Sequence, residues 1–374
     1  MNIGFDAKRI FHNKTGLGNY SRDLVCLLSN IHPKSNFFLY NPKDKKIDRL
    51  ENNKNVIEVL PTSLFWKKIS SIWRLGPVVK QLVADRIQVF HGLSGELPKG
   101  LAAANIKSVV TIHDLIFMRY PKLYSYIDSK IHYKKFLHAV NKADQIIAIS
   151  EQTKRDVVSF LNVDPSKIKV IYQGCNQLFK TEQSHVFKED VRKKFKLPNQ
   201  FILNVGTIET RKNSMLIVKA IKDIDTVLVV IGGETPYYHE VKEYIDTENM
   251  KDKVVFLNDV ALEELVAIYQ MANVFVYPSI FEGFGIPIIE ALYCKTPVIT
   301  SVGGCFPEAG GPHSIYINPF DEKELQGKII EVLSNAELRN TMADRGYEFV
   351  QKFNDNIIAE EMMNVYKGLI KDEK

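Results

Sequence analysis

Short runs of β-branched and aromatic residues alternate with amphipathic stretches along almost the whole chain. Seven such runs come first, at residues 2–6, 37–40, 56–59, 88–91, 109–113, 145–149 and 169–172. Six more follow, at 201–206, 226–231, 254–257, 274–277, 298–300 and 315–317. Helical patterns sit between them, as at 214–221, 262–271 and 284–293. Strands alternating with helices read as βαβ units, which build parallel sheets. Each series is long enough for one open sheet, so the expected fold is α/β with two doubly wound, Rossmann-like domains. Residues 181–199 are polar, charged and without strong periodicity, and read as a linker between a first domain at 1–180 and a second at 200–355. Beyond them, 356–370 reads as a last amphipathic helix that packs back on the first domain, with Ile357, Ile358, Met362, Val365, Tyr366 and Leu369 near one face.

The length of 374 residues suits two such domains. Apolar residues at 45% and charged residues at 25% exclude a disordered, collagenous or fibrous chain. No apolar run comes near the roughly 18 residues that a membrane span needs. The first twenty residues carry charges and glycines where a secretory leader needs an apolar stretch. Cys26, Cys175, Cys294 and Cys305 lie far apart, so neither a zinc site nor a disulfide framework is expected. A reduced, cytoplasmic protein is the expectation. The net charge of +5 conceals an asymmetry. Residues 1–180 hold 28 Lys and Arg against 14 Asp and Glu, whereas the remainder hold 21 against 30. Only the first half is suited to an anionic partner.

Ligands of doubly wound sheets bind beyond the carboxyl ends of the strands, and four constellations fall there. Thr15-Gly16-Leu17-Gly18-Asn19-Tyr20 opens a helix after the first strand. A plain turn and an anion loop both fit it, since the third glycine of a dinucleotide fingerprint is missing. Thr111-Ile112-His113-Asp114 ends a strand with a histidine, either a cap for the next helix or a donor to a substrate oxygen. Gly206-Thr207-Ile208-Glu209-Thr210-Arg211-Lys212-Asn213 sets two adjacent cations before a helix. Cations there oppose the helix dipole, a cost that a bound anion explains. Glu282-Gly283-Phe284-Gly285-Ile286-Pro287 leads into a helix that carries Glu290, eight residues after Glu282. That spacing is just over two helical turns, which puts both carboxylates at one cleft edge, where they accept hydrogen bonds from sugar hydroxyls. Asp223-Ile224-Asp225 precedes a strand and reads as a turn rather than a metal site.

The segment from Glu282 to Glu290 resembles the E-x7-E motif of retaining family-4 glycosyltransferases of group 1, which have the GT-B fold of two Rossmann-like domains facing across a cleft. The resemblance runs nearly end to end. Val205-Gly206-Thr207 with Arg211-Lys212-Asn213 resembles the family's phosphate-binding segment. Ala148-Ile149-Ser150-Glu151, Ile171-Tyr172-Gln173-Gly174 and Gly303-Gly304 to Pro307-Glu308 also match family segments. The resemblance implies a nucleotide-sugar donor on the second domain and an acceptor entering from the first. Glu290 would hold the ribose hydroxyls, and Glu282 with the N–H groups of Gly283, Phe284 and Gly285 would hold the sugar and its phosphate. Gly206 and Thr207 would line the donor site, and Arg211 and Lys212 would neutralise the leaving diphosphate. His113 would contact the sugar near the reacting carbon, and Gly16 and Gly18 would let the first domain close over the phosphates. Many members carry an arginine where Thr207 stands here, and Arg211 beside Lys212 supplies the missing charge. The expected chemistry is hexose transfer with retention, without a metal and without a cofactor, since the nucleotide sugar is a substrate. In this reading Glu282 orients and stabilises rather than attacks. The Gly-Thr-Ile-Glu-x-Arg-Lys-Asn form is similar to mannosyl-type transferases, which points to GDP-mannose.

The acceptor implied is a saccharide or lipid-linked saccharide of surface-polysaccharide synthesis. Both tryptophans, Trp66 and Trp73, lie in one acid-free segment with Lys67, Lys68 and Arg74, and Lys43, Lys45, Lys46 and Arg49 lie upstream beside Asp44 and Asp48. Two readings stay open for that segment. One is an interface with an anionic membrane on the inner face. The other is a helix that packs Trp66, Ile69 and Trp73 into the core. A sugar-nucleotide epimerase or a phosphorylase of similar architecture is the alternative enzyme. A nucleic-acid-binding protein is disfavoured, because zinc-finger and RNP-like motifs are missing and the second half is acidic.

Overall fold

Thirteen strands form two all-parallel sheets among the described residues of the computed structural model, which describes residues 1–13, 15–44 and 53–371. The chain divides into two units. The first is Met1–Gln173 together with the segment that begins at Phe353, and the second is Gly174–Lys352.

The first unit holds β1 (Asn2–Asp6), β2 (Asn36–Tyr40), β3 (Val56–Val59), β4 (Val89–Gly92), β5 (Lys107–Ile112), β6 (Gln145–Ala148) and β7 (Ile168–Val170). Their spatial order is β3-β2-β1-β4-β5-β6-β7. Helices cover both faces of this sheet, so its central strands are buried on both sides and are rich in Val, Ile and Phe. On one face the helix Gly16–Ile31 packs with the final helix Asp355–Lys371, whose Ile358, Met362, Met363 and Tyr366 share a core with Leu24, Val25 and Leu28. Trp73, Leu82, Phe90, Val110 and Ile146 build the core on the other face.

The second unit holds β8 (Phe201–Val205), β9 (Val227–Ile231), β10 (Val254–Leu257), β11 (Val274–Tyr277), β12 (Val298–Ser301) and β13 (Ile315–Ile317), in the order β10-β9-β8-β11-β12-β13. In each sheet the order reverses once, between β1 and β4 and between β8 and β11. Loops leave a doubly wound sheet in opposite directions at such a point, and this opens a crevice beyond the carboxyl ends of the two strands.

Two sequence expectations are corrected and one open alternative is decided. Residues 181–199 are not a bare linker. They contain the helix His185–Phe195, capped by the Ser184 hydroxyl on the Phe187 N–H and anchored by buried Val191. Its density of Lys, Arg, Glu and Asp hid that apolar stripe. The boundary therefore falls between Gln173 and Gly174, and the return to the first unit comes at Phe353 rather than after residue 355. The segment with both tryptophans is two short helices, Leu64–Lys68 and Ser70–Trp73, broken at Ile69. Trp73 is buried and Trp66 packs half-buried on the same core, as the second of the two readings of this segment expected. Lys45, Lys46, Asp48 and Arg49 lie outside the described residues. Among the described residues no helix is long and apolar enough to cross a membrane.

Candidate functional site

In the second unit the expected residues gather at the reversal between β8 and β11. Strand β8 ends at Val205, and Gly206 follows with φ of 144°, a conformation that favours glycine. The Gly206 N–H binds the Ile231 carbonyl at 2.9 Å, which ties this turn to the end of β9. A Cβ on Gly232 would stand 1.9 Å from the Gly206 carbonyl oxygen, so the close crossing of these two turns requires glycine there. The chain then makes a short turn, Thr210–Lys212, and a left-handed Asn213, whose side-chain amide binds the Pro319 carbonyl at 2.7 Å. The Arg211 carbonyl accepts from the Ile280 N–H at 2.8 Å and the Ser279 hydroxyl at 3.1 Å. The cationic segment and the loop after β11 are thus fastened together backbone to backbone.

Glu282 lies where they meet. Its Oε1 is 2.7 Å from Arg211 Nη1 and 2.7 Å from Lys212 Nζ, and it accepts from the Ser279 hydroxyl at 2.7 Å and the Tyr277 hydroxyl at 3.1 Å. Its Oε2 has no hydrogen-bond partner among the described residues. Burial alone would raise the Glu282 carboxyl, but Lys212 and Arg211 outweigh it and hold the pKa at about 2. Arg211 also donates to the Phe281 carbonyl at 2.6 Å and the Glu209 carboxylate at 2.5 Å. Lys212 lies 4.8 Å from the Tyr277 ring centroid and contacts its hydroxyl. The result is two partly buried cations and an ionised carboxylate at the mouth of a parallel sheet, an arrangement suited to a polyanionic ligand with hydroxyls.

Glu290 is not part of that cluster. It sits on the helix Ile286–Tyr293 and accepts from the Tyr269 hydroxyl at 3.2 Å. Glu282 precedes the helix in a loop, so the eight-residue spacing spans a loop and one helical turn, not two turns of helix. Gly285 caps that helix with φ of 114°. The Phe284 side chain is buried in the core, leaving its backbone as the only part to meet a ligand. Thr207 is exposed. Asp223 and Asp225 lie at the amino end of β9, the end of the sheet away from Glu282.

Sequence reasoning missed several supports of this loop. Thr300 and Ser301 on β12 donate to the carbonyls of Tyr277 at 2.8 Å and Ser279 at 2.7 Å. The buried Cys305 thiol lies 3.2 Å from the Glu282 carbonyl oxygen. The Gly232-Gly233 pair was the one visible signal, a double glycine directly after a strand.

In the first unit His113 follows β5. Its Nε2 donates to the Leu93 carbonyl at 2.8 Å, which leaves Nδ1 as the acceptor for the Gln173 amide at 3.2 Å. Burial pushes its pKa down to about 4; the Leu93 bond opposes this and the charge of Arg9 adds to it. His113 is therefore neutral at pH 7, and the Tyr20 ring stands edge-on against it with centroids 4.7 Å apart. Gly16 begins the helix Gly16–Ile31 in open space. Gly18 is required for another reason than the one expected. A Cβ there would lie 2.0 Å from the Asn13 carbonyl oxygen. Its N–H is already bound by the Thr15 carbonyl at 2.9 Å and reached by Asn13 Oδ1 at 3.3 Å.

Comparison with known proteins places this geometry. The family model described as "Glycosyl transferases group 1" matches residues 187–349, and "Glycosyltransferase Family 4" matches residues 36–177. The O-antigen chain mannosyltransferase RfbU of Salmonella typhimurium is 34% identical over 258 residues, which cover 67% of this chain and 69% of that protein. The O-antigen chain mannosyltransferase B of Escherichia coli is 26% identical over 387 residues, covering 99% of this chain and all of the relative. Among solved structures, the sucrose-phosphate synthase of Thermosynechococcus elongatus shares the fold over the full length of both chains, with a TM-score of 0.81 at 22% identity.

Proposed function

The chain belongs to the group 1 glycosyltransferases, and on that premise we propose that it moves a hexose, with retention, from a nucleoside-diphosphate sugar to a saccharide or lipid-linked saccharide acceptor in surface-polysaccharide synthesis. The observation that carries this reading is the partly buried Arg211–Glu282–Lys212 cluster at the reversal between β8 and β11. The two O-antigen mannosyltransferase relatives support mannose as the sugar, and the donor of this reading is GDP-mannose.

In this mechanism the anomeric carbon–phosphate oxygen bond breaks as the acceptor oxygen bonds to the same face of that carbon. The acceptor proton goes to the departing phosphate. Positive charge grows on the sugar and negative charge on the diphosphate. Arg211 and Lys212 stabilise the diphosphate, with no metal required. Glu282 orients these cations and takes sugar hydroxyls on its Oε2, Glu290 holds the ribose, and neutral His113 meets the sugar.

Thermal stabilisation by UDP-, GDP-, dTDP- and CMP-sugars, on wild type and Glu290→Ala, tests the reading. A donor at about 100 times its Kd stabilises by roughly 2.7 kcal/mol. GDP-mannose is expected to raise the midpoint of wild type and not of the variant. A folded wild type indifferent to every nucleotide sugar overturns the reading.

A peripheral position on the inner membrane face is the second part of the proposal. Its support is a set of exposed apolar side chains in the first unit: Leu64, Phe65 and Ile72 in one segment, Tyr126, Ile127 and Ile131 in another. Lys67, Lys68, Lys130 and Lys134 are interleaved with them, and Arg74 and Lys135 from the two segments both bind Glu96. Apolar groups among lysines suit an acidic lipid surface. Cosedimentation with phosphatidylglycerol vesicles but not phosphatidylcholine vesicles, lost in high salt, is the expected result. Equal recovery with both overturns it.

A further inference from the structure

A buried polar chain crosses the first unit and ends beside His113. The Tyr366 hydroxyl, on the final helix, is 2.7 Å from His91 Nδ1. His91 Nε2 is 2.8 Å from Thr111 Oγ1, and Thr111 Oγ1 is 3.4 Å from the Tyr20 hydroxyl. Burial, with His113 nearby, pushes the His91 pKa down to about 3, so its ring is neutral and carries one N–H. The four groups then bring four hydrogens, three hydroxyl and one ring N–H, to three links. One hydrogen is left over, on Tyr366, on Tyr20 or, if the Thr111 oxygen accepts from both of its neighbours, on Thr111.

The choice among them follows from burial. If the chain ran from Tyr20 toward Tyr366, the spare hydrogen would sit on Tyr366, and if Thr111 accepted from both His91 and Tyr20 it would sit on Thr111; both residues are 0% exposed and their hydroxyls have no further partner among the described residues. A bare donor at either place loses its water without compensation. If it runs from Tyr366, that hydroxyl donates to His91 Nδ1, His91 Nε2–H donates to Thr111, and Thr111 donates to Tyr20. The spare hydrogen then sits on Tyr20, which keeps 8% of its surface exposed. The last link, at 3.4 Å, is long for one between hydroxyls, so Tyr20 is loosely held. Its ring lies edge-on to His113 at the carboxyl end of β5, where ligands of such sheets bind.

We propose that the Tyr20 hydroxyl donates a hydrogen bond to a sugar oxygen of the substrate bound beside His113, with Tyr366, His91 and Thr111 as positioning residues that fix the direction of that donor. This rests on the reading of the chain as a sugar transferase with a saccharide at His113.

The Tyr20→Phe variant keeps the ring against His113 and removes only the donor. Calorimetry with GDP and GDP-mannose, and with UDP and UDP-glucose, isolates the affinity that the sugar adds to the nucleotide. For a contact with the transferred sugar, that increment is expected to fall about 3- to 10-fold while nucleotide affinity holds within about twofold. For a contact with the acceptor sugar, donor affinity is unchanged and the acceptor KM rises by the same factor. Tyr20→Phe indistinguishable from wild type in both readouts overturns the proposal and leaves the transferase reading intact. A wild type that binds no nucleotide overturns both. Tyr366→Phe is expected to weaken the same parameter, and the double variant to be no worse than Tyr20→Phe alone. Simple additivity would refute the positioning role.

Discussion

Substituting Glu282 by glutamine removes one charge and little volume, and its consequence is calculable from the cluster. The carboxyl falls from an ordinary value of 4.5 to about 2 in the folded protein, because Lys212 and Arg211 overcome the burial penalty. At about 1.4 kcal/mol per pH unit, this depression corresponds to ~3 kcal/mol of stability. The folded pKa is the lower one, so the contribution is complete above pH 4.5 and is lost as pH falls toward 2. For a unit of this size each kcal/mol moves the midpoint by about 2–4 °C, so the variant's second unit should melt ~6–12 °C lower at pH 7. The gap should close as the pH drops through 4.5, since wild type then loses what the variant already lacks. The variant also leaves Arg211 and Lys212 without their shared carboxylate, so inorganic diphosphate should stabilise it more than wild type. Scanning calorimetry from pH 3 to 8, with and without diphosphate, reads all three effects. A gap independent of pH, or weaker stabilisation of the variant by diphosphate, would refute the assignment of the cluster as an anion site.

Three further outcomes are expected. Arg211→Ala and Lys212→Ala should each lower kcat by about 100-fold or more, because each removes a cation from the leaving diphosphate, and steady-state kinetics with saturating donor checks it. Burial holds His91 at about 3 and His113 at about 4, both below an ordinary histidine near 6.5. Unfolding therefore takes up protons between those values, and the first unit should lose stability as pH falls from 6.5 to 4, a slope that His113→Asn reduces in urea titrations. Gly232→Ala should destabilise the second unit by about 1–3 kcal/mol and weaken nucleotide binding, because its Cβ would stand 1.9 Å from the Gly206 carbonyl oxygen; Gly233→Ala, where a Cβ meets nothing within 4 Å, is the control.

All thirteen strands were legible because a parallel sheet covered on both faces demands runs such as Val109-Val110-Thr111-Ile112 and Val227-Leu228-Val229-Val230-Ile231, which few helices tolerate. The cationic segment and the glutamate loop were legible because their residues sit directly after β8 and β11. The helix His185–Phe195 was not, since a charged surface helix shows only Val191 and its serine cap as signals. The role of Gly18 was misjudged because sequence cannot distinguish a glycine that bares its N–H from one that makes room for a neighbouring carbonyl. The hydroxyls of Thr300 and Ser301 and the chain from Tyr366 to Tyr20 were invisible for a different reason. They join residues far apart in sequence, and only strand order brings them together.

That strand order also bears on what Glu282 can do. A carboxylate held at about 2 by two cations, with four donors on one oxygen, is a weak base and a correspondingly weak nucleophile. Attack on an anomeric carbon would require it to give up those donors just as the neighbouring diphosphate gains charge and competes for Arg211 and Lys212. The same features make it a good fixed acceptor. It keeps both cations apart and aimed at the mouth between β8 and β11, and it presents a free oxygen to a sugar hydroxyl. Glu282→Gln should therefore lower kcat without accumulating a glycosyl-enzyme. A covalent adduct at another carboxylate, detected by mass spectrometry of that variant with donor alone, would replace the same-face displacement with a double one.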